Sequence, residues 1–407
     1  MAAYRLTNRQ ARRFVLLRQG LVGERAFAGK QGALGFVRRA GCIQFDPVDV
    51  CGRNAELTLQ SRVEGFEKAM LDELLYADRL LVDYPDKQLA IIPAELWPYF
   101  GRYREAARKG GLAFEGLAAM EKKALAFIKA NGPVSSAELP FSGSMRWHSS
   151  IHWSGGWDGE TNAARAVLEQ LYSAGRLVVH RKKGARKYYD LAERHLGPEL
   201  LAAPEPLPDE PSHLRWRVLR RIGAVGLLWN RPSDAWLHIR GLNGETRAGI
   251  FGSLAAAGEI IPVEVEGIKG PLYCLAADGP LLRAAAEGPA PRPRTELIAP
   301  LDCLMWDRKL VKALFGFSYS WEIYTPAHRR KYAAYALPLL HGEAFAGRVE
   351  AVRNGAAKTL EVRNVWLEEG AKAGPKLRAA LDSCLKRFAG FNGCERTDPR
   401  TPSEALR

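Results

Sequence analysis

The chain has no run of about 18 apolar residues, which excludes a helical membrane span. Cysteine is scarce, with six in 407 residues, at Cys42, Cys51, Cys274, Cys303, Cys384 and Cys394. No two form a CxxC pair, and none stands at zinc-finger spacing from a histidine, so no structural metal is expected. So few thiols in a long chain fit a reducing cytoplasm, where they act as small core residues. A GxSxG elbow, a Walker loop, a GxGxxG turn and an HExxH pair are all missing. Their absence removes the commonest hydrolase, nucleotide-binding and metalloprotease signatures, and no cofactor is expected. Arg5, Arg9, Arg12, Arg13 and Arg18 interrupt the apolar positions of the first turns. That leaves no unbroken stretch for a signal peptide, and the expected location is cytoplasmic.

The chain is 47% hydrophobic, enough for packed cores. Its length suggests two to four domains. Lys and Arg number 59 against 45 Asp and Glu, a surplus of +14. Such a surplus favours polyanionic partners, nucleic acid first, although a merely soluble basic protein has the same balance.

A short pattern recurs three times. Leu74-Leu-Tyr-Ala77-Asp78-Arg79-Leu80 resembles Leu171-Tyr-Ser-Ala174-Gly175-Arg176-Leu177 and Leu254-Ala-Ala-Ala257-Gly258-Glu259-Ile260. Each ends a helical pattern with Gly or Asp at the cap, and strand-like runs follow around a turn. These hairpins are expected over 79–92, 176–191 and 259–275. Helical patterns precede them. The first unit opens at Thr7, an N-cap before Arg9 to Gln19. The second has a helix from Glu121 to Ala130, a short one from Ser135 to Glu138 and a third from Asn162 to Ala174. The third has His213 to Ile222, Ser233 to Ile239 and Gly244 to Ala257. Helices followed by a hairpin give the winged-helix order. Winged helices also mediate protein contacts, but the basic turn Lys182, Lys183, Arg186 and Lys187 suits phosphates.

Proline-rich linkers lie at 201–211 and 288–294. Beyond the second, Tyr335 to Leu340, Phe345 to Val352 and Thr359 to Leu367 read as antiparallel strands, closed by a helix from Lys376 to Phe388. The expected class is therefore α+β: three tandem winged-helix units at 5–100, 118–195 and 210–280, then a small β-rich domain at 295–390.

Two places invite chemistry. His148 and His152 lie four apart, but Trp147 and Trp153 beside them suggest a packed or DNA-facing loop more than a metal site. The run Ile43-Gln44-Phe45-Asp46-Pro47-Val48 reads as a half-buried strand that stops at proline. Gln44 and Asp46, two apart, would share a face. An amide and a carboxylate there can hold and deprotonate a water, or they merely cap the next helix.

The stretch IQFDPVDVCGRNAELTLQSRV resembles the signature region of the winged-helix DNA glycosylases of the AlkZ and YcaQ type. A second block resembles the YcaQ branch at Pro300-Leu-Asp302, Trp306-Asp307-Arg308, Glu322-Ile-Tyr324-Thr-Pro326 and Leu337-Pro-Leu-Leu340. The resemblance as a whole spans about residues 6 to 370. The resemblance implies a monofunctional enzyme releasing alkylated purines from double-stranded DNA, in a family of which some members also unhook interstrand crosslinks. It implies no metal and no membrane, and a monomer associated with the nucleoid. Gln44 and Asp46 become the catalytic pair. Arg53, Arg62 and Arg308 join Lys182, Lys183, Arg186 and Lys187 as DNA-binding candidates. One departure stands out: where the YcaQ branch has a His-His pair, this chain has Asn54-Ala-Glu56. A winged-helix transcription regulator, and a damage binder without catalysis, are the competing readings.

Overall fold

A computed structural model describes residues 4–111, 116–147 and 159–399, in a mixed α+β arrangement. Asp72–His213 form one compact unit. The segment up to Leu71 and the chain from Leu214 onward form the other. The segment 5–100 is therefore divided at Leu71: its hairpin counts with the first of these units, and its opening helices with the second. His148 and His152 lie outside the described residues.

In the unit Asp72–His213, the helix Ala163–Ser173 starts where the Asn162 side chain accepts the Arg165 N–H. It ends because Gly175 adopts φ +71°, a left-handed turn that costs glycine nothing. The chain then forms the antiparallel hairpin Leu177–Lys183 and Arg186–Leu191. Val167, Leu168 and Leu171 of the helix pack with Leu177, Val179, Tyr189 and Leu191 of the hairpin, and with Ala124 and Ile128 of the helix Leu117–Asn131. The short helix expected from Ser135 to Glu138 is a turn instead. Ser135 N–H and Oγ both donate to the Glu138 carboxylate, at 2.7 and 2.9 Å. Pro140 disfavours helical backbone in Leu139, so the turn cannot propagate. The first repeat has its own hairpin, Leu81–Asp83 with Ala90–Pro93. Its last helical turn, Glu73–Ala77, is a π-turn closed by Asp78 N–H to Glu73 O at 2.8 Å. The extra residue in that turn moves the left-handed position on to Arg79, φ +56°.

In the second unit, the helix Asn8–Arg18 begins in a capping box between Thr7 and Gln10. The third repeat forms the helix Gly244–Ala256, capped by Asn243, and the hairpin Ile260–Val265 with Leu272–Leu275. Ser233 caps only the single 3₁₀ turn Asp234–Trp236, shorter than the expected helix. The strand Tyr4–Leu6 joins this hairpin in parallel, Tyr4 opposite Val263, a pairing that no local pattern announces.

The C-terminal sheet has five strands in the order Thr295–Leu297, Leu337–His341, Ala344–Asn354, Thr359–Leu367, Arg396–Pro399. Gly347 is required there, because a Cβ would lie 2.0 Å from the Trp366 carbonyl oxygen. The helix Pro375–Phe391 buries Leu377, Leu381, Cys384, Leu385 and Phe388 against the sheet residues Leu339, Val349, Leu360 and Val362. Cys51 and Leu57 belong to the same core, and Val48, Val50, Trp321 and Ile323 pack on it. The segment that carries Gln44 and Asp46 is thus anchored on the C-terminal sheet. All six cysteines are buried free thiols. Among the described residues no helix is long and apolar enough to cross a membrane.

Candidate active site

The helix Gly29–Ala40 ends at Gly41, φ +76°, and a Cβ there would lie 3.0 Å from Arg220 Nε. Arg220 donates to the Gly41 carbonyl at 2.6 Å, and Arg221 to the Cys42 sulfur at 3.7 Å. These bonds fix the entry to the strand Ile43–Gln44. The strand is shorter than the pattern predicts, and Ile43, Gln44, Phe45 and Asp46 are all buried, so the expected alternation of burial is absent. Both candidate catalytic residues thus lie in one buried, extended segment.

Asp46 is 1% exposed. Its Oδ1 accepts the Val48 N–H at 2.9 Å. Pro47 between them has no N–H and a fixed φ, so the Asp side chain reaches the next available donor. Asp46 Oδ2 is buried and has no hydrogen-bond partner among the described residues. Burial pushes the carboxyl pKa up to about 6, against the smaller opposing effect of the Val48 N–H. A buried acid with an open oxygen and a pKa near neutrality has the properties of a proton acceptor. It is not the cap of the following helix. Asn54–Gln60 has Arg53 at its N-cap, and the Glu56 carboxylate accepts the Arg53 N–H at 2.9 Å.

Asn54 holds the segment, and Glu56 holds the start of the helix Asn54–Gln60. Asn54 Nδ2 donates to the Gln44 carbonyl at 2.8 Å, and Asn54 Oδ1 accepts the Leu301 N–H at 2.9 Å. Glu56 pairs with Arg53 at 3.5 Å and Lys68 at 3.6 Å. The sequence marked Asn54-Ala-Glu56 only as a departure from a pattern. Here Asn54 ties the Gln44 backbone to the Pro300-Leu301 loop.

The expected DNA-binding set divides. Arg62 is withdrawn from it: its side chain is 0% exposed and makes an ion pair with Asp302 through both terminal nitrogens, at 2.7 and 2.8 Å. The remaining donors go to Gln19, Thr58 and Ser61, so nothing is left to meet a phosphate. Arg53 and Arg308 are half-buried, and Arg308 lies over the Tyr319 ring at 5.6 Å. In the hairpin, Lys182 pairs with buried Asp83 at 2.5 Å, its side chain only 5% exposed. That inward set corrects the expectation for Lys182. Lys187 stands opposite Lys182 in register, and burial, followed by the charge of Lys182, lowers its pKa to about 8. Lys183 and Arg186 are opposite each other and exposed. Exposed Arg181, which sequence reasoning passed over, covers the Tyr188 ring at 4.3 Å.

Among the described residues, His180, Asp190 and His195 bring potential metal-ligand atoms within 4.8 Å of one another. Arg79 lies 3.4 Å from His180 Nδ1 and Arg194 lies 2.9 Å from Asp190 Oδ1, and these two guanidinium charges oppose a metal cation.

The profile of the AlkZ-like family, described as DNA glycosylase AlkZ-like, matches residues 37–391, which includes the buried segment of Gln44 and Asp46. The chain belongs to the AlkZ-like DNA glycosylase family. The fold is also similar to a solved Streptomyces sahachiroi DNA glycosylase AlkZ. That match has a TM-score of 0.63 at 17% identity and covers 98% of this chain and 100% of the other. As an AlkZ-like DNA glycosylase, the enzyme takes DNA as its substrate, and its basic surplus suits that polyanion. Sequence reasoning gave Trp321 and Tyr324 no role; Trp321 packs on the core that also supports Val48 and Val50, and the charge of Asp46 acts on the Tyr324 phenol. The signal was available in the second motif block, where Tyr324 is a large aromatic residue in a polar turn.

Proposed function

We propose that this enzyme is a monofunctional, monomeric glycosylase that hydrolyses the N-glycosidic bond of alkylated purines in duplex DNA, N7-alkylguanine foremost and crosslinks among its substrates. The observation that carries this reading is the setting of Asp46: it is buried, its Oδ2 has no partner among the described residues, and burial pushes its pKa up to about 6. An N7-alkylguanine is cationic and leaves without a strong general acid. As the C1′–N9 bond breaks, its electron pair neutralises the departing base, and the sugar passes through an oxocarbenium-like state. Water attacks C1′, and Asp46 takes its proton, leaving an abasic site and a neutral base. Gln44 positions that water. No lysine is invoked as a nucleophile, so no strand incision follows release.

The three helix-plus-hairpin repeats support a reading as winged-helix units, which present hairpins and helix termini to duplex DNA. In this reading Lys183 and Arg186 contact phosphates, with Arg53 and Arg308 nearer the lesion side.

The test is single-turnover release of N7-methylguanine from a duplex, followed by alkali to cleave abasic sites. Asp46→Asn keeps size and hydrogen bonding but not charge. It should slow release about 10²–10⁴-fold, or roughly 3–5 kcal/mol in barrier, with DNA affinity unchanged. A variant rate within about threefold of wild type would return Asp46 to a structural role; that is well below a general-base effect.

A further inference from the structure

We propose that Tyr324 is the stacking platform for the extruded lesion base, its open ring face set to receive a positively charged purine. The inference rests on the alkylpurine reading above and names the residue that would hold the base. Among the described residues only Leu237 and Tyr324 are large apolar side chains left exposed, and Tyr324 is the more open at 62%. The face of that ring is therefore open to a ligand.

Its setting is rigid. The Trp321 ring meets the Tyr324 ring edge-to-face at 5.8 Å and 73°, and meets Tyr335 at 6.2 Å and 75°. Trp321 and Ile323 rest on the same core as Val48 and Val50, so the turn bearing Tyr324 and the segment bearing Asp46 share one support. Buried Glu322 clamps the turn by accepting the Lys331 and Tyr332 N–H groups at 3.0 and 2.9 Å. Arg330 closes it on the Thr325 carbonyl at 2.8 Å. The phenol also senses the site: partial desolvation, and after it the charge of Asp46, raise its pKa above the ordinary value.

Chemistry fixes the ligand class. A base leaving the duplex loses its stacking partners, and an aromatic face restores them. A ring face attracts a cation, so a base with positive charge gains more than a neutral one. A preset ring loses little freedom on binding.

Equilibrium binding tests this without catalysis. Two duplexes are compared, one carrying 2′-fluoro-N7-methyldeoxyguanosine, whose fluorine disfavours the oxocarbenium state, and one with unmodified guanosine. Y324A should lower the preference for the lesion about 10-fold, the effect of one lost stacking contact, with unmodified DNA bound as before. Y324F and Y324W should hold the preference within about threefold, since the ring and not the hydroxyl is used. An unchanged preference in Y324A, a Y324F loss as large as that of Y324A, or a wild type without preference would overturn the inference. The reading of function fails separately, if wild type releases no base, and D46N should lose rate while keeping the preference.

Discussion

Asp46 sits where its charge is expensive. Burial raises its pKa from 3.8 to about 6, so folding favours the protonated form. Stability from this group is therefore greatest below the unfolded value. It declines as pH rises through about 6, and then levels off. An asparagine in its place would not ionise, so D46N should match wild type near pH 4 and exceed its stability by about 1–3 kcal/mol at pH 8. Urea denaturation at the two pH values measures this, and equal stability at pH 8 would mean that the carboxylate is solvated or paired. The sequence placed Gln44 and Asp46 in one extended segment, but not this state. The pKa depends on burial, in a segment whose Val48 and Val50 pack on a core built largely from the C-terminal sheet, and no window of sequence holds that information.

Among elements, the second repeat's hairpin illustrates what periodicity does and does not tell. The basic turn was legible as a group of four. The register divides it: Lys182 faces Lys187, and Lys183 faces Arg186, on alternate sides of the ribbon. Lys182 turns inward because buried Asp83 needs a counter-charge, and Asp83 stands about a hundred residues away in sequence. Lys183 and Arg186, the outward pair, face solvent. Replacing Lys183 and Arg186 by alanine should flatten the slope of log affinity against log salt by roughly two, equally for all DNA sequences. A filter-binding titration at several salt concentrations reads the slope. Unchanged slopes in the double variant would remove this hairpin from the DNA interface. The caps are more local than the charges: Thr7 caps as its pattern predicts, and Asn162 and Asn243 cap the helices that follow them, since an N-cap bond reaches only two or three residues.

At the scale of the molecule, the N-terminal helices and the C-terminal sheet are joined by buried charge. Arg62 and Asp302, 240 residues apart, are both fully buried, and Glu296 receives Arg25 and Arg294 at 2.7 and 2.9 Å. Removing one partner strands the other without water. Asp302→Asn should therefore cost about 3–5 kcal/mol of stability. Urea unfolding is the measurement, and a loss below about 1 kcal/mol, the scale of an exposed pair, would show that the pair is solvated. Arg62 looked like a phosphate ligand because an arginine beside a motif has no address in sequence. Its place is decided by Asp302, Gln19 and Thr58, contributed by distant parts of the chain.

Short-range forces decide what was legible in the pattern: the three repeats with their helix ends and hairpins, the strands of the C-terminal sheet, and the segment of Gln44 and Asp46. Caps, glycine turns and hydrophobic periods act within a few residues, so the pattern carries them. Tertiary structure alone decided which cations face solvent, that Tyr4–Leu6 pairs with the third hairpin, and that Asp46 keeps one oxygen open over the C-terminal core. Desolvation and ion pairing depend on neighbours brought together by packing, whose separation along the chain has no bound.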